Sequence, residues 1–364
     1  MKKIILTTSA LTAVAGMASA GGLERTPQSM NILFEDGRYA EFSFGYVAPD
    51  VTGSLGGAAS GDMLASYANF GLGYKADLSD TLSYAIIFDQ PYGADTDYPT
   101  GTTNVFTGTT AEVNSNAITG VLQYNFGNGA SVYGGLRGQS LQAEASIPFL
   151  PPVAGGGGYT IDSNTDYTFG YLVGAAYERP DIALRVALTY HSQTDHELDL
   201  TENHNLLPAP QESTEEVSLP QALNLEFQSG VAEDTLVFGS IRWVEWSETV
   251  INPAVYSTII TAAPLVFFED DRITYTLGVG RRLSDTWSVL GSVSYEENTG
   301  SATGNLGPTD GFTSVSLGAV YTQDNMKVTG GIRSVDIGDA TSFSGAIFED
   351  NDAIAAGVRV GWSF

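Results

Sequence analysis

The sequence predicts an all-β protein: a transmembrane antiparallel β-barrel of 14 strands with a short N-terminal plug. Three observations carry this expectation. They are an export leader, apolar residues alternating with small or polar ones almost to the last residue, and six tight polar turns at near-regular spacing.

The leader comes first. Lys2 and Lys3 precede an apolar run from Ile4 to Met17, and Ala18-Ser19-Ala20 supplies a small-x-small pattern, so cleavage is expected after Ala20. The run is too short to cross a bilayer as a helix. Residues 1–20 are therefore read as a signal peptide, 21–37 as a plug segment and 38–364 as the barrel.

Composition narrows the class. The chain has no cysteine, which excludes a disulfide framework, a thiolate nucleophile and a Cys-based metal site. Without Lys2 and Lys3 there remain thirteen Lys and Arg against forty-two Asp and Glu, a formal charge of −29. Nucleic acid is excluded as a partner, because phosphate binding needs a basic surface. At 43% apolar and 11% aromatic residues the chain is not of the disordered type despite its acidity. No Pro/Ser-rich linker divides it, and one texture runs from Arg38 to Phe364, so a single domain is expected.

That texture is alternation. Ile354, Ala356, Val358, Val360, Trp362 and Phe364 share one face of the last strand, opposite Ala355, Gly357, Arg359, Gly361 and Ser363. Trp287, Val289, Gly291, Val293 and Tyr295 alternate with Ser288, Leu290, Ser292, Ser294 and Glu296; only Leu290 breaks the pattern. Ile182, Leu184, Val186, Leu188 and Tyr190 alternate with Ala183, Arg185, Ala187, Thr189 and His191. An outer-membrane barrel turns its apolar face to lipid and its small and polar residues inward. Tight breaks at residues 78–80, 126–129, 179–181, 232–234, 283–285 and 323–325 lie roughly fifty residues apart, each interval holding two strands and one longer loop. Six short turns imply seven hairpins, hence fourteen strands, with both termini on the periplasmic side of a Gram-negative outer membrane. Strands longer than the nine to eleven residues that a tilted span needs should project beyond the outer leaflet. The closing strand ends in Trp362 and Phe364, a pattern similar to the signal read by outer-membrane barrel-assembly machinery.

Several segments carry a family resemblance: residues 38–52 (RYAEFSFGYVAPDVT), 218–227 (SLPQALNLEF), 242–247 (RWVEWS), 278–284 (GVGRRLS) and 285–287 (DTW). Across essentially the whole mature chain the sequence resembles the FadL/TodX family of outer-membrane transporters for long-chain fatty acids and hydrocarbons. The resemblance implies a plug in the lumen, an extracellular apolar groove for ligand capture, and a kinked third strand through which ligand leaves sideways. It also implies passive uptake of a hydrophobic small molecule into outer-membrane lipid, by a monomer without cofactors. Two departures stand out. Only residues 21–37 precede the first strand, with Thr26-Pro27-Gln28 where the family carries an Asn-Pro-Ala motif, so the plug is abbreviated. The loops are also short and acidic, so a smaller groove is expected.

Candidate ligand-handling residues follow. Leu23, Met30, Ile32, Leu33 and Phe34 on the plug either line a passage or pack the plug against the wall. Loop five carries Val255, Tyr256, Ile259, Ile260, Leu265, Val266, Phe267 and Phe268; so apolar a loop is costly unless it folds inward or meets ligand. Phe149, Leu150 and Val153 in loop three are a smaller example. Alternation turns Arg137, Arg185, Arg242, Arg333 and Arg359 into the lumen with Glu41, Glu226 and Glu296. Their ordinary role is pairing with lumenal acids; the functional alternative is a bidentate grip on a carboxylate. Pro91 and Gly93 sit where the third strand closes: Pro lacks the ladder N–H, so either the strand breaks there and leaves a gap, or an extracellular loop begins.

Catalysis finds no support, since no nucleophile or acid pair is set beside a histidine. His191, His196 and His204, with Asp195 and Glu197, read as a solvated loop rather than a metal site. The acidic runs 269–271 and 349–352 read as solvated charge. A general diffusion porin for small polar solutes is the alternative function.

Overall fold

The computed structural model describes residues 22–150, 157–260 and 263–364. The expected leader with its cleavage site, Val153, and the side chains of Phe149 and Leu150 lie outside the described residues. The barrel strands are β1 (Tyr39–Asp50), β2 (Tyr67–Asp77), β3 (Leu82–Asp89 and Gly93–Asp97), β4 (Thr110–Asn125) and β5 (Ala130–Leu150). Next come β6 (Gly157–Ser163 and Asp166–Arg179), β7 (Leu184–His191 and Thr194–His204), β8 (Gln211–Leu219 and Ala222–Ala232) and β9 (Thr235–Val244). The last five are β10 (Arg272–Arg282), β11 (Trp287–Glu296), β12 (Phe312–Gln323), β13 (Met326–Ile337) and β14 (Asn351–Ser363). β1 pairs antiparallel with β2 on one side and with β14 on the other, Tyr39 facing Ser363 and Asp50 facing Asp352, so the ring of fourteen strands is closed. Closure leaves no sheet edge, the condition for a β-structure to sit in hydrocarbon.

All six tight turns fall between strands where the alternation breaks. The shortest ones use left-handed backbone at Asp234 and Asp324 (φ 59° and 52°), which a short polar side chain tolerates. The outward residues form an apolar band, with Phe169 81% and Leu136 68% exposed. A soluble protein does not leave such a surface bare; lipid covers it. Aromatics gird the turn side of this band, including the pairs Trp287–Tyr321 at 5.0 Å, Tyr124–Phe126 at 5.1 Å and Tyr74–Phe364 at 6.4 Å. Leu290, the exception to alternation, points inward and joins Leu236, Phe238 and Val320 in a small cluster.

One side of the barrel rises well above the rest. The 21 residues of β5 span roughly 70 Å of strand at about 3.4 Å per residue, far more than the lipid band requires. Its outward face changes along the strand from Val132 and Leu136 to Ser140, Gln142 and Glu144, and that of β7 from Val186 and Leu188 to Asp195, Glu197 and Asp199. The change from apolar to acidic marks the upper edge of the lipid. Here the structure corrects the reading of the histidines. His196 and His204 lie on the projecting part of β7 rather than in a solvated loop, and with His191 all three are buried on its inner face. Their neighbours Leu198 and Leu200 are buried on the same face, so alternation resumes above the membrane, shifted by one residue at the break 192–193. Among the described residues no three His, Asp or Glu side chains converge as metal ligands would.

Candidate functional site

The segment preceding β1 lies inside the ring, because its partners come from opposite walls. Glu24 pairs with Arg242 on β9, and Arg25 with Asp95 on β3. Gln28 Oε1 accepts from the Arg137 guanidinium on β5 at 2.6 Å, and the Pro27 carbonyl accepts from Asn224 Nδ2 on β8 at 2.9 Å. Ser29 Oγ and Asn31 Nδ2 both donate to Glu226 Oε1 at 2.7 Å, while Asn31 Oδ1 accepts from Arg185 at 2.8 Å. The Lys75 ammonium on β2 donates to the Glu35 carbonyl at 2.8 Å. Only a chain crossing the lumen reaches all of these positions.

A short 3-10 turn, Asn31–Phe34, buries Met30, Ile32 and Leu33 against Tyr39, Ala85, Val121, Tyr133 and Leu172 of the wall. Phe34 meets the Tyr133 ring edge-on at 6.3 Å and lies beneath the Arg185 guanidinium. The five apolar residues named from the sequence therefore divide. Met30, Ile32, Leu33 and Phe34 pack on the wall, Met30 and Ile32 also bordering the pocket between β2 and β3, whereas Leu23 stands higher, at an apolar cavity.

The third strand is interrupted, not ended, at Pro91. β3 stays paired with β4 on both sides of the break, but Asp89 faces Ala117 and Gly93 faces Asn114, so three residues oppose two. This bulge, at a residue with no ladder N–H, turns the strand inward. Its other edge pairs with the N-terminal segment instead of β2: the Gly93 amide donates to the Leu23 carbonyl and the Arg25 amide to the Pro91 carbonyl, both at 2.8 Å. The Arg25 guanidinium lies where a Cβ at position 93 would stand, so any larger residue there must displace it. β2 and β3 are meanwhile paired only from Leu72↔Phe88 to Asp77↔Ser83. Above that point the Phe70 amide finds a side chain, Gln90 Oε1 at 3.0 Å, instead of a backbone partner. The resulting gap has Phe44, Phe70, Leu72 and Phe88 on its lipid side, and Gln28, Asn69, Asp89, Thr119 and Arg137 on its lumen side.

Two apolar cavities lie above. The lower, about 130 Å³, is bounded by Leu23, Ala94, Val113, Val335, Ile337 and Phe268. The upper, about 380 Å³, is bounded by Leu55, Phe106, Ile147, Tyr256, Ile260 and Phe343. Leu265, Phe267 and Leu306 border both. Loop five thus folds inward as its composition demands. Val255, Ile260 and Leu265 are buried, Val266 and Phe268 pack on the same core with Ile259, and Trp246 joins Tyr92 to Phe268. The inward apolar residues Val113, Val335 and Ile337 were not singled out from the sequence. Their signal was present: near the loop ends the alternation inverts, with Glu112, Ser334 and Asp336 facing out while Val113, Val335 and Ile337 face in.

The lumenal arginines have defined partners. Arg242 is held by Glu24 and by Asn224 Oδ1 at 2.5 Å, Arg359 lies 3.8 Å from Glu41, and Arg333 covers the Phe312 ring. Arg185 donates to Asn31, and Arg137 to the neutral acceptors Gln28 and Thr119. Charges that border the lower cavity, Glu24 with Arg242 and Arg25 with Asp95, are mutually compensated.

A closed barrel in a lipid-facing coat, crossed by its own N-terminal segment and holding apolar cavities beneath its loops, defines an outer-membrane transporter for hydrophobic compounds. Residues 38–343 match the sequence model of a family described as outer membrane protein transport protein (OMPP1/FadL/TodX), and the chain belongs to that family. No curated protein sequence matches it significantly. A Pseudomonas aeruginosa FadL homologue superposes with TM-score 0.78 at 14% identity, over 97% of this chain and 98% of that one. The Pseudomonas putida toluene transporter TodX superposes with TM-score 0.68 at 14% identity, over 97% and 98%. The Ralstonia pickettii toluene transporter TbuX gives TM-score 0.66 at 14% identity, over 97% of each chain. At such identity these likenesses establish the shared fold.

Proposed function

We propose that this chain is a passive channel for neutral hydrophobic molecules of about the size of one aromatic ring, which pass through the apolar cavities and leave sideways between β2 and β3 into the membrane. The observation that carries this reading is that one N-terminal segment borders both an apolar cavity with compensated charges, at residues 22–25, and, at residues 26–32, a gap whose outer rim is four apolar side chains. An aromatic ring that sheds about 200 Å² of contact with water gains about 5 kcal/mol. Release straight into the periplasm would forfeit that gain, whereas lateral release keeps it. The toluene transporters among the similar structures favour the same size of ligand. A general porin is disfavoured by the chain segment across the lumen.

A second reading, a carboxylate-bearing ligand such as a fatty acid, is favoured by Arg137, which is buried at the gap and donates hydrogen bonds only to neutral acceptors, with the Asp89 carboxylate lining the same gap. One uptake assay separates the two. Ala94→Trp fills the lower cavity and should reduce uptake of a radiolabelled neutral hydrocarbon at least fivefold. Arg137→Gln should leave hydrocarbon uptake within twofold of wild type. A fivefold loss of fatty-acid uptake in Arg137→Gln, with hydrocarbon never accumulating in wild type, would select the second reading.

Assembly gives another test. Phe364 is 65% exposed and touches only the edge of the fold, so its loss should barely change the stability of a finished barrel. On the reading that the assembly machinery recognises this terminal aromatic, deleting Phe364 lowers the heat-modifiable, folded band several-fold in cells while leaving refolding in detergent unchanged. Equal cellular levels would remove it as a signal.

A further inference from the structure

Loop five roofs both cavities, and one buried carboxylate holds its leading end. Glu202, on the projecting part of β7, is 0% exposed. Its oxygens accept from the Tyr159 hydroxyl at 2.8 Å, the Ser213 hydroxyl at 3.1 Å, and the amides of Val255 and Tyr256 at 3.1 Å. Those amides open the helical turn Tyr256–Ile260, whose Tyr256 and Ile260 border the upper cavity. Burial and the Glu202 carboxylate push the Tyr159 phenol well above its ordinary range, so it remains a donor. A second carboxylate, Glu215 on β8, accepts the Asn252 amide just upstream; burial, and then the nearness of Glu202, raise its pKa.

Adhesion alone does not call for this arrangement. Val255, Ile260 and Leu265 already bury apolar surface against the wall, whereas a carboxylate must shed its water before loop five can dock over it. The cost is offset only when all four donors are in place, so the group contributes direction more than strength. When the loop lifts, water rehydrates Glu202, and undocking is correspondingly cheap. We propose that Glu202 is a positioning residue for ligand uptake: it latches loop five in its closed place over the cavities, and release of that latch admits the hydrophobic ligand. The proposal rests on the transport reading above.

The test uses the full-length barrel in lipid vesicles. The chain has no cysteine, so Thr258→Cys places a single spin label on the exposed side of the turn. In Glu202→Gln either orientation of the amide turns its NH2 on the Val255 N–H, from which it cannot accept. The label should become mobile, and the rates of toluene uptake and release should both rise at least fivefold, with equilibrium occupancy within twofold. Glu202→Asp should restore most of the wild-type immobility. A structural role alone would instead lower occupancy and the temperature of unfolding together. An immobile label in Glu202→Gln overturns the latch whatever the uptake, and a mobile label with unchanged rates overturns its role in access. If wild-type vesicles take up no toluene although the label responds as expected, the latch on the loop stands. The transport reading then falls, and the role in uptake falls with it.

Discussion

Filling the gap between β2 and β3 should cut uptake of a neutral hydrocarbon about tenfold while leaving a folded barrel. Gly71→Trp is the chosen change. Gly71 lies beside the gap, and a Cβ there would meet Ser43 Oγ at 2.8 Å and the Phe88 carbonyl at 3.4 Å, the nearer neighbour being a small side chain that can rotate. The indole then enters the gap from its lumen side, beside Asp89 and behind the stacked rings of Phe70 and Phe88. Pro91→Val attacks the same feature differently, by restoring a ladder N–H to the bulged strand. Gly93 is a poorer target than its position in the sequence suggests, because any side chain there displaces Arg25 and so disturbs the N-terminal segment as well. Radiolabelled hydrocarbon uptake by cells, with heat-modifiability as the folding control, decides the matter. Unchanged uptake in a folded Gly71→Trp barrel would defeat lateral release and favour a path down the lumen past residues 22–37.

The second large effect concerns that segment. On the reading that it closes the lumen, Arg242→Ala should raise single-channel ion conductance in planar bilayers by an order of magnitude, with frequent fluctuation. Arg242 and Glu24 are both nearly buried, and removing the cation strands a carboxylate among apolar side chains. Breaking a buried pair from one side costs about 3–5 kcal/mol, enough to expel Leu23–Arg25 from their pairing with β3. Removing both charges leaves nothing stranded, so Glu24→Ala combined with Arg242→Ala should leak less than Arg242→Ala alone. If the single variant conducts no more than wild type, the segment does not depend on this pair for its place. If the double variant leaks more than the single one, lost attraction rather than a stranded charge is responsible.

Period-two alternation and turn chemistry are local, and they were sufficient to determine the strand count, the turn positions, the lipid face and the inward aim of Arg137, Arg185 and Arg242. For the upper part of β7 the signal was there, Leu198 and Leu200 alternating with Asp195, Glu197 and Asp199, but the charges suggest a loop and the structure corrects this. Partnership is not local. That Glu24 finds Arg242, that β3 bulges toward Leu23–Arg25 and away from β2, and that Glu202 receives the amides of Val255 and Tyr256 depend on groups up to some two hundred residues apart. The same holds for Met30 and Leu33, which the sequence allowed either to line a passage or to pack. The closed ring places Tyr39, Ala85 and Tyr133 around them, while leaving Met30 also at the gap and Leu23 at the cavity. The physical reason is that a barrel interior is assembled across its diameter. Each wall strand states which way its side chains point, but which of them meet is decided by closure and by the chain threaded through the middle.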